Sequence, residues 1–214
     1  MTEADRAVEE TVRHRLAQER PGDAVLGEEY GEVGTGNRRW LIDPIDATKN
    51  FVRGVPVWAT LIALECDGTV EVGVVSAPAL DRRWWAVRGR GAFANGESIR
   101  VSEVRELRDA HVGYDDIPDL EAHGLGDRFL DLARACWRTR AFGDFWQHVL
   151  VAEGALDVAV EAEVAPWDIA PLIVIVEEAG GRLTDLLGRA RIDGGSVITS
   201  NGHVHDAALG ALAR

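Results

Sequence analysis

The run of strand-like and helix-like segments along the 214 residues predicts a layered α+β / α/β sandwich, two sheets with helices between and outside. Two observations carry that expectation. Residues 24–88 hold short β-type runs closed by turn signals such as Asp67-Gly68, and residues 108–214 alternate strands with helices, which predicts a helix-covered sheet. A boundary near residue 108 separates an N-terminal α+β half, residues 1–107, from a C-terminal α/β half, residues 108–214, that completes the site.

Ala4, Ala7, Val8, Val12 and Leu16 recur at helical spacing, with acids early and Arg13 and Arg15 late, so residues 3–19 read as a helix stopped by Pro21-Gly22. Strands are expected at 24–26, 39–42, 58–65, 69–76 and 83–88, with a short helix or turn at 48–53. Residues 31–38 form a polar loop without a phosphate-binding glycine fingerprint. In the second half, strands are expected at 110–114, 156–160, 182–185 and 196–199, and helices at 125–136, 145–154, 169–179 and 205–213.

A hydrophobic content of 46% allows a large core. The formal charge of −13 argues against a nucleic-acid partner, although bound metal ions reverse such a field locally. No apolar run approaches the roughly 18 residues of a membrane span, and no basic start precedes an apolar stretch. Cys66 and Cys136, far apart in apolar contexts, read as buried thiols of a reducing compartment, so a cytoplasmic location is expected.

The most informative stretch is Trp40-Leu-Ile-Asp-Pro-Ile-Asp-Ala-Thr-Lys-Asn-Phe51. Asp43 and Asp46 close an apolar run, and two buried carboxylates this near each other repel unless a cation joins them. Magnesium, an oxygen-seeking ion, is the natural candidate; an Asp-Pro turn with an Asp or Thr helix cap is the alternative. Lys49, the only lysine, falls in the same segment. Glu28 and Glu29 follow a strand, and Asp168 opens a helix; alone these read as a solvated pair and an N-cap. His203 and His205 read as a surface turn rather than a metal pair, His148 as a core or interface histidine with contact to a substrate as the lesser alternative, and Trp84 and Trp85 as the two faces of one strand.

Taken together, Thr2-Glu-Ala-Asp5, Gly27-Glu-Glu29, the Asp43-Pro-Ile-Asp46 stretch, Gly54-Val-Pro-Val-Trp58, Trp167-Asp-Ile-Ala170 and Glu178-Ala-Gly-Gly181 resemble the inositol monophosphatase superfamily, most of all its histidinol-phosphate phosphatase branch. The resemblance implies a sugar-phosphatase-like αβαβα sandwich, two or three Mg2+ ions, and hydrolysis of a small phosphorylated substrate by a homodimer. It assigns Glu28, Asp43 and the Ile45 carbonyl to one ion, and Asp43, Asp46 and Asp168 to a second. Thr48 would position or help deprotonate the attacking water, with Asp5 accepting from its hydroxyl and Glu28 beside them. The Ala47 and Thr48 amides would hold phosphate oxygens among Asp46 and Asp168. Glu161 and Asp144 would face the organic half, where two carboxylates suit the cationic amine of histidinol phosphate; Asp144 could equally cap the helix from 145. An inositol or broader sugar phosphatase is the alternative activity, and an impaired phosphate- or metal-binding relic the alternative of another class.

Two departures from the family pattern stand out. Relatives usually carry Gly where Ala47 stands, and a positive φ there would cost Ala about 1 kcal/mol or more. Relatives also have a further helix before Thr2, so either the start was assigned late or a helix covering the core is missing, which bears on how Asp5 is held.

Overall fold

The computed structural model describes residues 2–213. An opening helix, α1 (Glu3–Glu19), is capped by Thr2, whose hydroxyl accepts from Ala4 and Asp5 while the Asp5 carboxylate reaches back to the Thr2 N–H, a reciprocal capping box. The first sheet comprises β1 (Ala24–Gly27), β2 (Gly31–Val33), β3 (Arg38–Asp46), β4 (Ala59–Cys66), β5 (Thr69–Ala77), β6 (Arg82–Val87), β7 (Ala92–Ala94) and β8 (Glu97–Ile99), in the order β2-β1-β3-β4-β5-β6-β7-β8. Its strands pair antiparallel except β1 with β3, which run side by side in one direction. Helix α2 (Thr48–Arg53) interrupts the sequence between β3 and β4.

The second sheet has the order β10-β9-β11-β13-β12, built from β9 (His111–Tyr114), β10 (Arg138–Ala141), β11 (Val158–Glu161), β12 (Arg182–Thr184) and β13 (Val197–Ser200). Helices α3 (Ile117–Ala122), α4 (Gly126–Ala135), α5 (Asp144–Ala152), α6 (Pro166–Glu178) and α7 (His205–Leu212) complete the chain. Helix α6 packs on β4, β5 and β6 and on α5, and α5 packs on β11 and β13, so these two helices fill the space between the sheets. Every residue from Ile169 to Val176 is buried, as expected of a helix that is apolar all round and sits in the core. Close approach depends on Gly73 of β5, where a Cβ would stand 2.3 Å from the Pro171 carbonyl oxygen.

The expected strands and helices are present within a few residues of their predicted ends. Several short elements escaped the sequence reading. The loop at 31–38 begins with β2, residues 92–99 form a hairpin of two strands, and α3 and β10 fall in segments too short and polar to carry a period. His205 is fully buried, not on a surface turn: its ring lies between Ser200 Oγ at 2.9 Å and Thr184 Oγ1 at 3.0 Å. Cys66 and Cys136 are only partly buried, though burial still pushes the Cys136 thiol up to about 11. Trp84 is buried in the core and Trp85 stacks on Phe93, one on each face of β6. Among the described residues no helix is long and apolar enough to cross a membrane.

Candidate active site

Asp43 and Asp46 are three apart, and on a regular strand that spacing would send their side chains to opposite faces. A bulge prevents it. Asp43 pairs with Leu61 and Asp46 with Ala59, so the strand carries extra length at Pro44-Ile45, where proline has no ladder N–H to lose. The Thr60 hydroxyl secures the bulge by donating to the Pro44 carbonyl at 2.8 Å. Both carboxylates therefore turn the same way, and one oxygen each from Asp43, Asp46 and Asp168 lies within 4.8 Å of the others.

Glu28 arrives beside them because β1 and β3 are parallel: Gly27 pairs with Ile42, and the Glu28 N–H donates to the Ile42 carbonyl at 3.2 Å. The turn that aims Glu28 is held by a residue the sequence reading passed over. Glu9, fully buried on α1, accepts from the Glu29 N–H at 2.7 Å and the Tyr30 N–H at 3.3 Å and pairs with Arg13 Nε at 2.6 Å, while Arg13 also donates to the Gly31 carbonyl. A Cβ at Gly27 would sit 2.1 Å from Glu9 Oε1, which explains the glycine before the paired glutamates. Glu9 follows Asp5 by four residues, one helical turn, and that spacing was the available signal. Glu29 itself is not a solvated partner of Glu28, since its side chain is 3% exposed.

Asp168 lies in the first turn of α6 and accepts from the Ala165 N–H at 2.7 Å, so it caps its own helix and faces the cluster at once. Asp46 plays a similar part for α5, accepting from the Phe145 N–H at 2.7 Å. Asp144 is itself the first residue of α5 and makes no capping hydrogen bond, so the expected alternative of Asp144 as a cap does not hold; it has φ +49 and lines the cavity. Ala47 has φ +65, the left-handed conformation in which an alanine is strained. Thr48 opens α2, so its N–H has no intrahelical acceptor. Its hydroxyl stands 2.8 Å from the Ile45 carbonyl and 3.4 Å from Asp5 Oδ1. With a single proton to donate, the shorter contact takes it.

These groups line a cavity of about 360 Å3 that also receives Lys49 and Asp115. A second hollow of about 180 Å3 adjoins it, with Glu161 and His148 joining Asp115, Asp144 and Lys49 in its wall. The tandem acids Asp115-Asp116 directly after a predicted strand were the overlooked sign of Asp115. Burial is the first cause of every upward shift here. The Asp43 carboxyl is held well above the usual range by desolvation and then by the charges of Asp46, Asp168 and Glu28; Asp46 by desolvation, Asp144 and Asp168. Glu28 is raised by burial and by neighbouring Glu29. Burial and Glu161 lift Asp168 to about 7 despite the Ala165 N–H, and lift Asp144 to about 7 and Asp115 to about 6 despite Lys49.

A metal fits this donor set. Asp43 is 3% exposed and its Oδ1 has no hydrogen-bond partner, an arrangement that an all-oxygen cluster sustains when a hard cation neutralises it. His203 and His205 belong to no acidic group of this kind: His205 is spent on Ser200 and Thr184, and His203 faces Glu103 at 3.5 Å.

The profile of the inositol monophosphatase family matches residues 1–214. A histidinol-phosphatase of Mycobacterium tuberculosis is 55% identical over 99% of this chain and 84% of its own, and one of Streptomyces coelicolor is 52% identical over 99% and 83%. Among solved structures, the Thermotoga maritima inositol monophosphatase superposes with a TM-score of 0.90 at 35% identity, covering all of this chain and 83% of the other. With the acidic cluster, the bulged Asp43-Pro-Ile-Asp46 strand and these likenesses in one chain, the protein belongs to the inositol monophosphatase family.

Proposed function

We propose that the protein is a magnesium-dependent phosphomonoesterase that hydrolyses L-histidinol phosphate to L-histidinol and phosphate. The observation that carries this reading is the division of the site into two parts. Asp43, Asp46, Asp168 and Glu28 gather donors for cations on one side, and Asp115, Asp144 and Glu161 gather more carboxylates than Lys49 balances on the other. A phosphate needs the first, and an ammonium on the same small molecule suits the second. The identity of the M. tuberculosis and S. coelicolor relatives supports the same substrate.

Glu28, Asp43 and the Ile45 carbonyl would hold one ion, and Asp43, Asp46 and Asp168 a second. Bound there, the ions supply a water acidic enough to yield hydroxide near neutral pH and a counter-charge for the leaving alkoxide. The remaining work falls to the chain. The Thr48 hydroxyl, 2.8 Å from the Ile45 carbonyl, orients the attacking water, and Asp5, 3.4 Å away and fully buried, is the acceptor for the Thr48 proton when that hydroxyl turns. The Thr48 amide, with that of Ala47, binds phosphate oxygens. Residues 1–107 thus contribute the cation and phosphate side, and residues 108–214 close it with Asp168 and contribute the organic side. A cytoplasmic homodimer is the form in which we expect the enzyme to act.

Phosphate release from histidinol phosphate and from inositol 1-phosphate, each with magnesium and with a chelator, tests the reading. Magnesium-dependent release that favours histidinol phosphate is expected. A preference for inositol 1-phosphate would replace the substrate, and no release from either would end the enzymatic reading in favour of a binding relic.

A further inference from the structure

Glu161 ends β11 with its carboxylate gripped from one side only. Gln147 Nε2 donates to Oε1 at 2.5 Å, and His148 Nε2 lies 3.0 Å from the same oxygen; Oε2 accepts from no donor among the described residues. Both grips come from consecutive residues of α5 and both are buried, Gln147 completely and His148 to 1% exposure.

The protons of this contact follow from its partners. A carboxylate oxygen accepts, so His148 Nε2 carries the hydrogen, and Nδ1 pairs with the Thr199 hydroxyl at 2.8 Å; both ring nitrogens are then partnered. Gln147 is less comfortable. Turning its amide over would set oxygen against oxygen, so Nε2 must face Glu161, which leaves Gln147 Oε1 buried without a donor. A completely buried amide that leaves its own oxygen unpartnered to hold a neighbour is an arrangement that stability alone does not favour. The backbone makes room for it: a Cβ at Gly113 of β9 would stand 2.8 Å from Gln147 Oε1.

We infer that Gln147 and His148 are positioning residues for specificity: they pin Glu161 Oε1 so that Oε2 is presented in a fixed place to an ammonium group on the organic half of the phosphate ester. This rests on the proposed reading of the substrate. Neither residue touches the phosphate side, so both act on recognition of the amine through Glu161.

The test uses the full chain with magnesium and measures competitive inhibition of histidinol phosphate turnover by each product. Gln147→Leu should raise the inhibition constant of L-histidinol and the KM for histidinol phosphate about 10-fold, with the inhibition constant of inorganic phosphate and kcat changed less than about 2-fold. It removes the unpartnered oxygen, so its melting temperature should not fall, which a merely structural role would require. His148→Leu should act in the same direction, and His148→Gln, whose amide reaches the position of Nε2, should recover most of the loss. Combined with Glu161→Gln, either leucine variant should add nothing to the loss from Glu161→Gln alone. Equal weakening of L-histidinol and phosphate, or additive losses in the double variants, would overturn the inference. If the unaltered protein releases no phosphate from histidinol phosphate, the functional reading fails instead; turnover without discrimination by the variants fails this inference alone.

Discussion

Replacing Glu9 by Gln probes the turn that aims Glu28, and its cost is legible in the contacts. Glu9 is fully buried and carries two backbone N–H groups and the Arg13 guanidinium. A glutamine keeps one acceptor but turns an NH2 group toward the other donor and removes the charge facing Arg13. Breaking a buried pair costs about 3–5 kcal/mol. The Arg13 side chain is 16% exposed and retains the Gly31 carbonyl, so the lower end, about 3 kcal/mol, applies. For a chain of this size that lowers the melting temperature by about 6–12 °C. Thermal unfolding in a chelator measures it free of metal. Gly27→Ala, whose Cβ would meet Glu9 Oε1 at 2.1 Å, should cost a similar amount, and the double variant no more than the larger single loss. Arg15→Gln serves as the control, because the Arg15–Glu19 pair on the same helix is exposed on both sides and is worth less than about 0.5 kcal/mol. A loss below about 1 kcal/mol for Glu9→Gln, or additivity with Gly27→Ala, would refute the account of the turn.

Three further outcomes follow from the site and its surroundings. Magnesium at about 100 times its dissociation constant should stabilise the protein by about 2.7 kcal/mol, whereas Asp43→Asn should show no such gain yet melt higher than the unaltered protein in chelator, since it removes a buried charge facing Asp46, Asp168 and Glu28; a magnesium-dependent rise in the variant would contradict the ligand assignment. His205, fully buried, has its pKa lowered to about 4 by burial and then by Arg182, so the unfolded chain takes up its proton first. About 3 kcal/mol of stability, present above pH 6.5, should be lost as pH falls through 4, and urea unfolding of His205→Gln should show a flatter profile over that window. Ala47→Gly, relieving φ +65 at a position 6% exposed, should stabilise by about 0.5–1 kcal/mol; a melting temperature that falls instead would mean that the buried methyl outweighs the strain.

The sequence by itself determined the layered class, the long elements and the carboxylates that gather at the site, because the chemistry of a cation cluster demands specific residue types in a short stretch. Asp43 and Asp46 were readable for that reason, whereas Asp168 and the role of Thr48 became readable only through the family resemblance; α1 and α6 were legible from their periodic or continuous apolar faces. Tertiary structure decided what no local pattern encodes. That Asp43 and Asp46 share a face depends on a bulge defined by pairing with β4; that Asp46 rather than Asp144 caps α5 depends on two segments 99 residues apart. Glu9 and Gln147 drew no reading from the sequence, and His148 only that of a core or interface histidine, until the fold set them against Glu29 and Glu161. The strain at Ala47 was posed by the sequence as a condition and answered only by its φ. Ligand chemistry is written in residue identity, whereas the direction in which a carboxylate points is set by hydrogen bonds from distant strands and helices, and those exist only once the chain has folded.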